Sequence, residues 1–250
     1  MVMNFIKKIR IQLVQFLIEL NERVFFVQKQ KRVYRKLFAG KMNCVIDVGA
    51  NKGQSIDIFT SVNPECKIYA MEPNPELYQF LRKKYAKQQN IKIFNKGISN
   101  ISGQKIFYEN IFNGSSTLEE LNNDSKYLEK KASIFGVPKE EIHFDIYPVQ
   151  VETLSEFIKS HKIKDIDLIK IDTEGHEYHC LGGLFNNENN VNINYIQIEY
   201  HDHDMYINRV PFTSIVELLY QNHFVEYARI KHGFGEFYDI IFKNNYNTRK

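Results

Sequence analysis

Short apolar runs rich in β-branched residues alternate along most of the chain with longer amphipathic stretches, a rhythm that predicts an α/β domain with a mainly parallel sheet. Strands are expected within Asn43 to Val48, at Lys67 to Glu72, Ile91 to Phe94, Ile166 to Ile171 and Tyr195 to Tyr200. A helix is expected from near Lys52, a strand and helix within Val149 to Lys159, and an amphipathic helix at Phe212 to Asn222. Phe224 to Ile230 and Glu236 to Phe242, joined by Lys231 to Gly235, read as a closing hairpin, which gives the sheet an antiparallel edge. Two pieces interrupt the rhythm. Ser102 to Glu109 reads as a hairpin strand followed by the polar loop Asn110 to Thr117, and the charged stretch Glu119 to Phe135 reads as a helix ended by Pro138.

The first 38 residues lack glycine and proline, and Phe5, Ile6, Ile9, Leu13, Phe16, Leu17 and Leu20 recur at helical spacing opposite Lys7, Lys8 and Arg10. Gln12, Gln15 and Glu19 break the apolar face too often for a membrane span, and no small-residue cleavage site follows. This arm is expected to pack on the domain or on a second copy, with an anionic membrane surface as the alternative. Boundaries follow: a basic helical arm over 1–40, one domain over 41–250, and a charged insertion at about 119–146.

Several polar residues sit where an open sheet binds ligands. Asp47, Gly49 and Gly53 form D-x-G-x-x-x-G between a strand and a helix, and Gly49 lets the main chain come close to a ligand. Nineteen residues beyond Gly53, Glu72 ends the next strand, where a carboxylate can accept both hydroxyls of a ribose. Adenosine cofactors of the nicotinamide and S-adenosyl types share that ribose. The loop separates them, because Asn51 and Lys52 stand where a dinucleotide fingerprint needs its second glycine.

Asp172, Thr173, Glu174, Gly175, His176 and Glu177 follow the strand Ile166 to Ile171, and acids there are costly to bury without a ligand. Glu174 or Glu177 could instead serve the following helix as a cap. Past Tyr200, the run His201, Asp202, His203, Asp204 could offer a base or a metal ligand, but neighbours on an extended chain point opposite ways and the spacing defines no geometry. A divalent metal is therefore possible but disfavoured. Asp172, His201 and His176 are the candidates for a general base.

Composition narrows the class. A content of 43% hydrophobic and 14% aromatic residues over 250 residues supports a sizeable core. Residues 1–40 carry nine Lys/Arg against Glu19 and Glu22, so the net charge of +3 sits in the arm and the body is mildly acidic, which argues against nucleic acid as partner. Cys44, Cys66 and Cys180 have neither redox nor zinc spacing and fit reduced thiols in a cytoplasmic protein.

Taken together, D-V-G-A-N-K-G, A-M-E-P-N-P, I-K-I-D-T-E-G-H-E with L-G-G behind it, and I-E-Y-H resemble the FkbM-type S-adenosylmethionine-dependent methyltransferases from about Asn43 to Phe242. The resemblance implies a Rossmann-like seven-stranded methyltransferase sheet, mostly parallel with a C-terminal antiparallel hairpin. It also implies that the Asp47, Gly49, Asn51, Gly53 loop holds the amino-acid part of S-adenosylmethionine, with Glu72 on its ribose. Asn74, Gly97 and Ile98 would border the adenine, and Asp172 would face the transfer site. The implied chemistry is O-methylation of a sugar, a glycan precursor or another small molecule. A nicotinamide-dependent oxidoreductase and a catalytically silent binding protein docked through the arm to a membrane or a second copy are the competing readings. The expected location is the cytoplasm, with contact to the inner face of the membrane as an option.

Overall fold

The computed structural model describes residues 10, 11, 13, 14, 26–110, 116–186, 191–201, 204–208, 210–232 and 237–246; the side chains of residues 140, 143, 144 and 201 lie outside it. Seven strands form the main sheet. They are β1 (Cys44–Val48), β2 (Lys67–Met71), β3 (Ile91–Phe94), β7 (Asp165–Ile171), β8 (Asn192–His201), β9 (Phe224–Lys231) and β10 (Phe237–Asn244), in the order β3-β2-β1-β7-β8-β10-β9. All neighbours are parallel up to β8, and β10 runs antiparallel to both β8 and β9.

The central strands are apolar runs because both faces are covered. Successive residues alternate between two cores. Ile46, Ile169, Ile171 and Ile198 face one side with α5 (Leu154–Ser160), α6 (Glu177–Phe185) and α7 (Phe212–Gln221). Val45, Leu168 and Ile241 face the other with α1 (Val27–Phe38), α2 (Gln54–Val62) and α3 (Pro75–Lys84). In α3 the cap is written locally: the Asn74 side chain accepts from the amides of Glu76 and Leu77, and Pro75 takes the first turn, where no amide hydrogen is missed.

Helix α1 buries Gln30, Tyr34 and Phe38, four residues apart on one face, and exposes Lys29, Arg32, Arg35 and Lys36. Its buried polar groups reach the sheet. Tyr34 donates to Gln197 Oε1 on β8 at 2.6 Å, and Gln30 donates to Asp239 on β10. The arm before it, apart from Arg10, Ile11, Leu13, Val14 and Phe26, lies outside the described residues. Ile11 and Val14 pack on α4 (Lys126–Phe135), and Arg10 donates to the Ser133 carbonyl. No described helix is long and apolar enough to cross a membrane.

A second sheet, order β4-β6-β5, joins β4 (Gly97–Ile98), β6 (His143–Glu152) and β5 (Gly103–Asn110). Gly97 and Ile98, expected in a turn, are thus a strand parallel to β6. The helix expected from Glu119 starts at Lys126, where Ser125 caps it by accepting from Leu128 N, and Gly136 ends it at φ 70°. Residues 116–124 instead follow an irregular path pinned by bridges of Thr117 to Tyr108 and Leu121 to Tyr206. Helix α6 meets β4 so closely that a Cβ on Gly183 would lie 2.1 Å from the Ser99 carbonyl oxygen.

Tyr34→Phe removes the side-chain hydrogen bond of a buried amide, whose Gln197 Nε2 has no partner among the described residues. The expected loss is about 1–3 kcal/mol in urea denaturation. A change below about 0.5 kcal/mol would mean that the arm helix is held by its apolar contacts alone.

Candidate functional site

The carboxyl ends of β1, β2 and β7 open into a cleft with about 620 Å³ of empty space, mouth included. After β1 the chain turns through Gly49 at φ 85°, Asn51 at φ 48° and Gly53 at φ 83° before entering α2. Gly49 is required twice over: its backbone is left-handed, and an added Cβ would lie 1.9 Å from the Asp172 carbonyl oxygen. The β1 and β7 loops therefore touch.

Glu72, at the end of β2, is held from both sides. Its Oε2 accepts from Asn51 N at 2.7 Å and its Oε1 from Asn74 N at 2.9 Å, so the β1 loop and the start of α3 fix one carboxylate in the cleft wall. Two bonds leave acceptor capacity on both oxygens. Burial pushes its pKa up to about 7; the two amides pull it down, and the charges of Asp47 and Asp172 add to the rise. Asp47 lies beneath the cleft, fully buried, with neither oxygen hydrogen-bonded among the described residues. Burial raises its pKa to about 6 against the pull of Lys170, its register partner on β7.

Asp172 follows β7, lines the cleft and accepts from Lys170 Nζ at 2.6 Å. Burial alone would lower the Lys170 ammonium, but Asp172, Asp47 and Asp239 outweigh it and hold the group above its usual value. The next residues are shaped by Glu177, whose buried Oε1 accepts from Thr173 N, Thr173 Oγ1 and Gly175 N at 3.0, 3.0 and 3.2 Å. Glu177, the first residue of α6, thus braces the loop ahead of the helix, whose N-cap His176 makes no side-chain cap hydrogen bond. Glu174, at φ 55°, lines the cleft and accepts from Tyr206 at 3.2 Å. Thr117 Oγ1, 3.2 and 2.8 Å from the Thr173 and Glu174 carbonyl oxygens, ties the 116–118 wall across the opening.

Of the residues singled out from sequence, Gly49, Asn51, Glu72, Gly97, Ile98 and Asp172 line one cleft. Asp47, Gly53 and Asn74 support it from behind: Gly53 packs on Tyr85, which donates to its carbonyl at 2.8 Å, and Asn74 is a cap whose amide holds Glu72. His176 is not brought there. It is buried, with Nδ1 2.5 Å from Glu119 Oε1 and Nε2 2.9 Å from Ser99 Oγ, so both ring nitrogens are engaged in joining the insertion to β4. The side chain of His201, with Asp202 and His203, lies outside the described residues.

Sequence reading gave no role to Met71, Pro73, Phe107 and Leu118, which form the remaining wall with Ser116, Thr117 and Lys96. Lys96 is ion-paired with Glu152 at 2.6 Å. The cleft thus sets the carboxylates of Glu72, Asp172 and Glu174 against a lysine that already has its counter-charge, with an apolar flank opposite. Such a lining suits a cationic ligand with a flat apolar part and offers little to a pyrophosphate.

An acid whose folded pKa is raised keeps its proton where the unfolded chain has lost it. Between about 4.5 and about 7, Glu72 therefore makes folding take up a proton, and stability falls as pH rises through that window. Glu72→Gln should flatten the urea-midpoint profile there by up to about 1.4 kcal/mol per pH unit. An unchanged slope would assign that proton uptake to Asp47.

A family model for the methyltransferase FkbM domain matches residues 47–246. The 2-O-methyltransferase NoeI of Sinorhizobium fredii is 24% identical over 177 residues, covering 70% of each chain. Among solved structures, a SAM dependent methyltransferase from Aquifex aeolicus superposes with a TM-score of 0.47 at 12% identity, over 90% of this chain and 92% of that one. Magnesium protoporphyrin IX methyltransferase (ChlM) from Synechocystis PCC 6803, with bound SAM, gives 0.47 and 12% over 90% and 81%.

Proposed function

The chain belongs to the FkbM methyltransferase family, and from that premise we infer that it transfers a methyl group from S-adenosylmethionine to a hydroxyl oxygen of a sugar, a glycan precursor or a comparable small molecule. One observation carries the reading: Glu72, fixed by two backbone amides, and Asp172, fixed by Lys170, line the same acid-lined cleft. The sugar class is supported by the 2-O-methyltransferase NoeI among its relatives.

When bound, S-adenosylmethionine supplies a methyl group already activated on a sulfonium, so the protein's task is alignment and proton removal. Glu72 accepts the ribose hydroxyls with the lone pairs that Asn51 and Asn74 leave free. Gly49, bare of a side chain, leaves the β1 loop low enough for the amino-acid end, and the negative lining favours its ammonium. Met71, Pro73, Ile98 and Phe107 form the apolar flank for the adenine. Asp172 is the acceptor-side carboxylate. Lys170 fixes the carboxylate in the cleft wall, where it would take a hydrogen bond from the substrate hydroxyl and draw its proton away as the oxygen attacks.

The location belongs to the same proposal: a cytoplasmic enzyme whose basic arm, including exposed Lys29, Arg32, Arg35 and Lys36 of α1, meets an anionic surface or a second copy.

Calorimetric titration with S-adenosylhomocysteine should give specific binding, and Glu72→Ala should weaken it by about 1–3 kcal/mol. Affinity should rise as pH passes through about 7, because only the ionised Glu72 accepts on both oxygens. Binding of NAD in place of S-adenosylhomocysteine would sink the assignment. With a sugar acceptor in hand, Asp172→Asn should lower kcat by about 10²–10⁴ at unchanged cofactor affinity; full activity in that variant would remove Asp172 from the proton's path.

A further inference from the structure

Along the same sheet edge, beyond Asp172, lies a cluster that the cofactor cleft does not use. Glu199 on β8 and Asp239 on β10 are register partners, and His232 follows the end of β9, its amide bonded to the Phe237 carbonyl at 3.1 Å. The three side chains are 12%, 3% and 10% exposed. The Phe26 ring stacks on the imidazole with centroids 3.7 Å apart, so the arm's last described turn covers the cluster.

The spacing is informative. His232 Nε2 lies 3.4 Å from Asp239 Oδ1 and 3.5 Å from Glu199 Oε1, longer than the ~2.7–2.9 Å of a charge-assisted hydrogen bond. Three donors bound to one ion at ~2.0–2.2 Å in tetrahedral array lie ~3.3–3.6 Å apart. The three ligand atoms all fall within 4.8 Å of one another. A second trio in the molecule, Glu119, His176 and His179, shows the opposite geometry: Glu119 and His176 approach to 2.5 Å, a direct hydrogen bond with no room for an ion between the two atoms.

Positive charge does reach the pair: His232 lies against both carboxylates, Lys131 acts on Glu199, and Lys170, bonded to Asp172, also acts on Asp239, to which Gln30 adds a neutral donor. One imidazole with two carboxylates is a mixed nitrogen and oxygen set, which suits Mn²⁺ or Zn²⁺ better than the all-oxygen shells of Ca²⁺ and Mg²⁺.

We propose that Glu199, His232 and Asp239 form a binding site for a divalent transition-metal ion, on the acceptor side of the cleft. Resting on the methyltransferase reading, the ion's open positions take the acceptor's hydroxyl oxygen next to Asp172, since Asp172 follows Ile171, the register partner of Ile198, and so stands level with Glu199. The ion would polarise that hydroxyl, which Asp172 alone does weakly.

The test is calorimetric titration of the chelator-treated full chain with MnCl₂ and with ZnCl₂, beside a titration with S-adenosylhomocysteine. One ion per chain is expected, with affinity at least 10-fold weaker in Glu199→Gln and in His232→Gln and unchanged in His179→Gln. Crystals soaked in MnCl₂ supply a readout without substitutions, an anomalous peak between the three side chains. Chains that bind S-adenosylhomocysteine but neither ion overturn the metal site and leave the methyltransferase reading standing. Binding lost in His179→Gln but kept in His232→Gln, or a peak at Glu119, also overturns it. Chains that take the ion but not S-adenosylhomocysteine keep the site and overturn the cofactor assignment instead.

Discussion

An ammonium buried in the middle of a parallel sheet organises this protein. Lys170 stands on β7, flanked by β1 and β8, and is 4% exposed. Desolvating it is costly unless opposite charge stands close by, and the sheet supplies that charge from three positions. Asp47 is its register partner on β1, Asp172 lies two residues ahead, just past the end of its own strand, and Asp239 sits two strands away. Asp172, which lines the cleft, is therefore also part of what makes the central strand foldable. Removing it leaves a buried charge less compensated, so chemistry and stability are bound together in this residue.

The same constraint explains why the arm helix belongs to the domain. Gln197 on β8 is level with Lys170, and its amide needs a partner that the sheet does not provide; Tyr34 of α1 provides it. Gln30, one turn earlier, reaches Asp239, and Phe26 closes over His232. The apolar face of α1 contributes most of the burial. Its polar contacts specify where along the sheet the helix stops, and so which residues stand over the acceptor end of the cleft.

What could be read from the sequence follows from where the information is local. β1, β2, β3, β7 and β8 are apolar runs because both sheet faces are covered, and the closing hairpin declares itself through its glycine-bearing turn. Gly49, Asn51, Glu72 and Asp172 were legible because each stands at a strand's carboxyl end, where a ligand can be reached. The small sheet was legible only in part: β5 and the end of β6 were expected as strands, whereas Gly97 and Ile98 were expected in a turn. β4 is two residues long, below any period, and β6 carries Pro148 within an otherwise alternating run. His176 looked chemical beside Asp172, yet α6 begins there and turns it towards Ser99 and Glu119. His232, remote in sequence from Glu199, meets it only through strand order. A signal did exist for the buried network: Asp47, Lys170 and Gln197 are single polar residues inside three apolar runs, and polar residues in such runs need one another.

The charge pattern also sets the order in which ligands are selected. Glu72, Asp172 and Glu174 give the cleft a negative wall, while Lys96 is neutralised by Glu152, so an anionic dinucleotide would meet repulsion where a sulfonium with its ammonium meets attraction. A cation held there in turn alters the acceptor side. It adds positive charge next to Asp172 and eases the crowding of carboxylates that burial has pushed towards their neutral forms, as the raised values of Glu72 and Asp47 record. Cofactor binding thus favours ionised carboxylates in the cleft, the state that the role proposed for Asp172 requires.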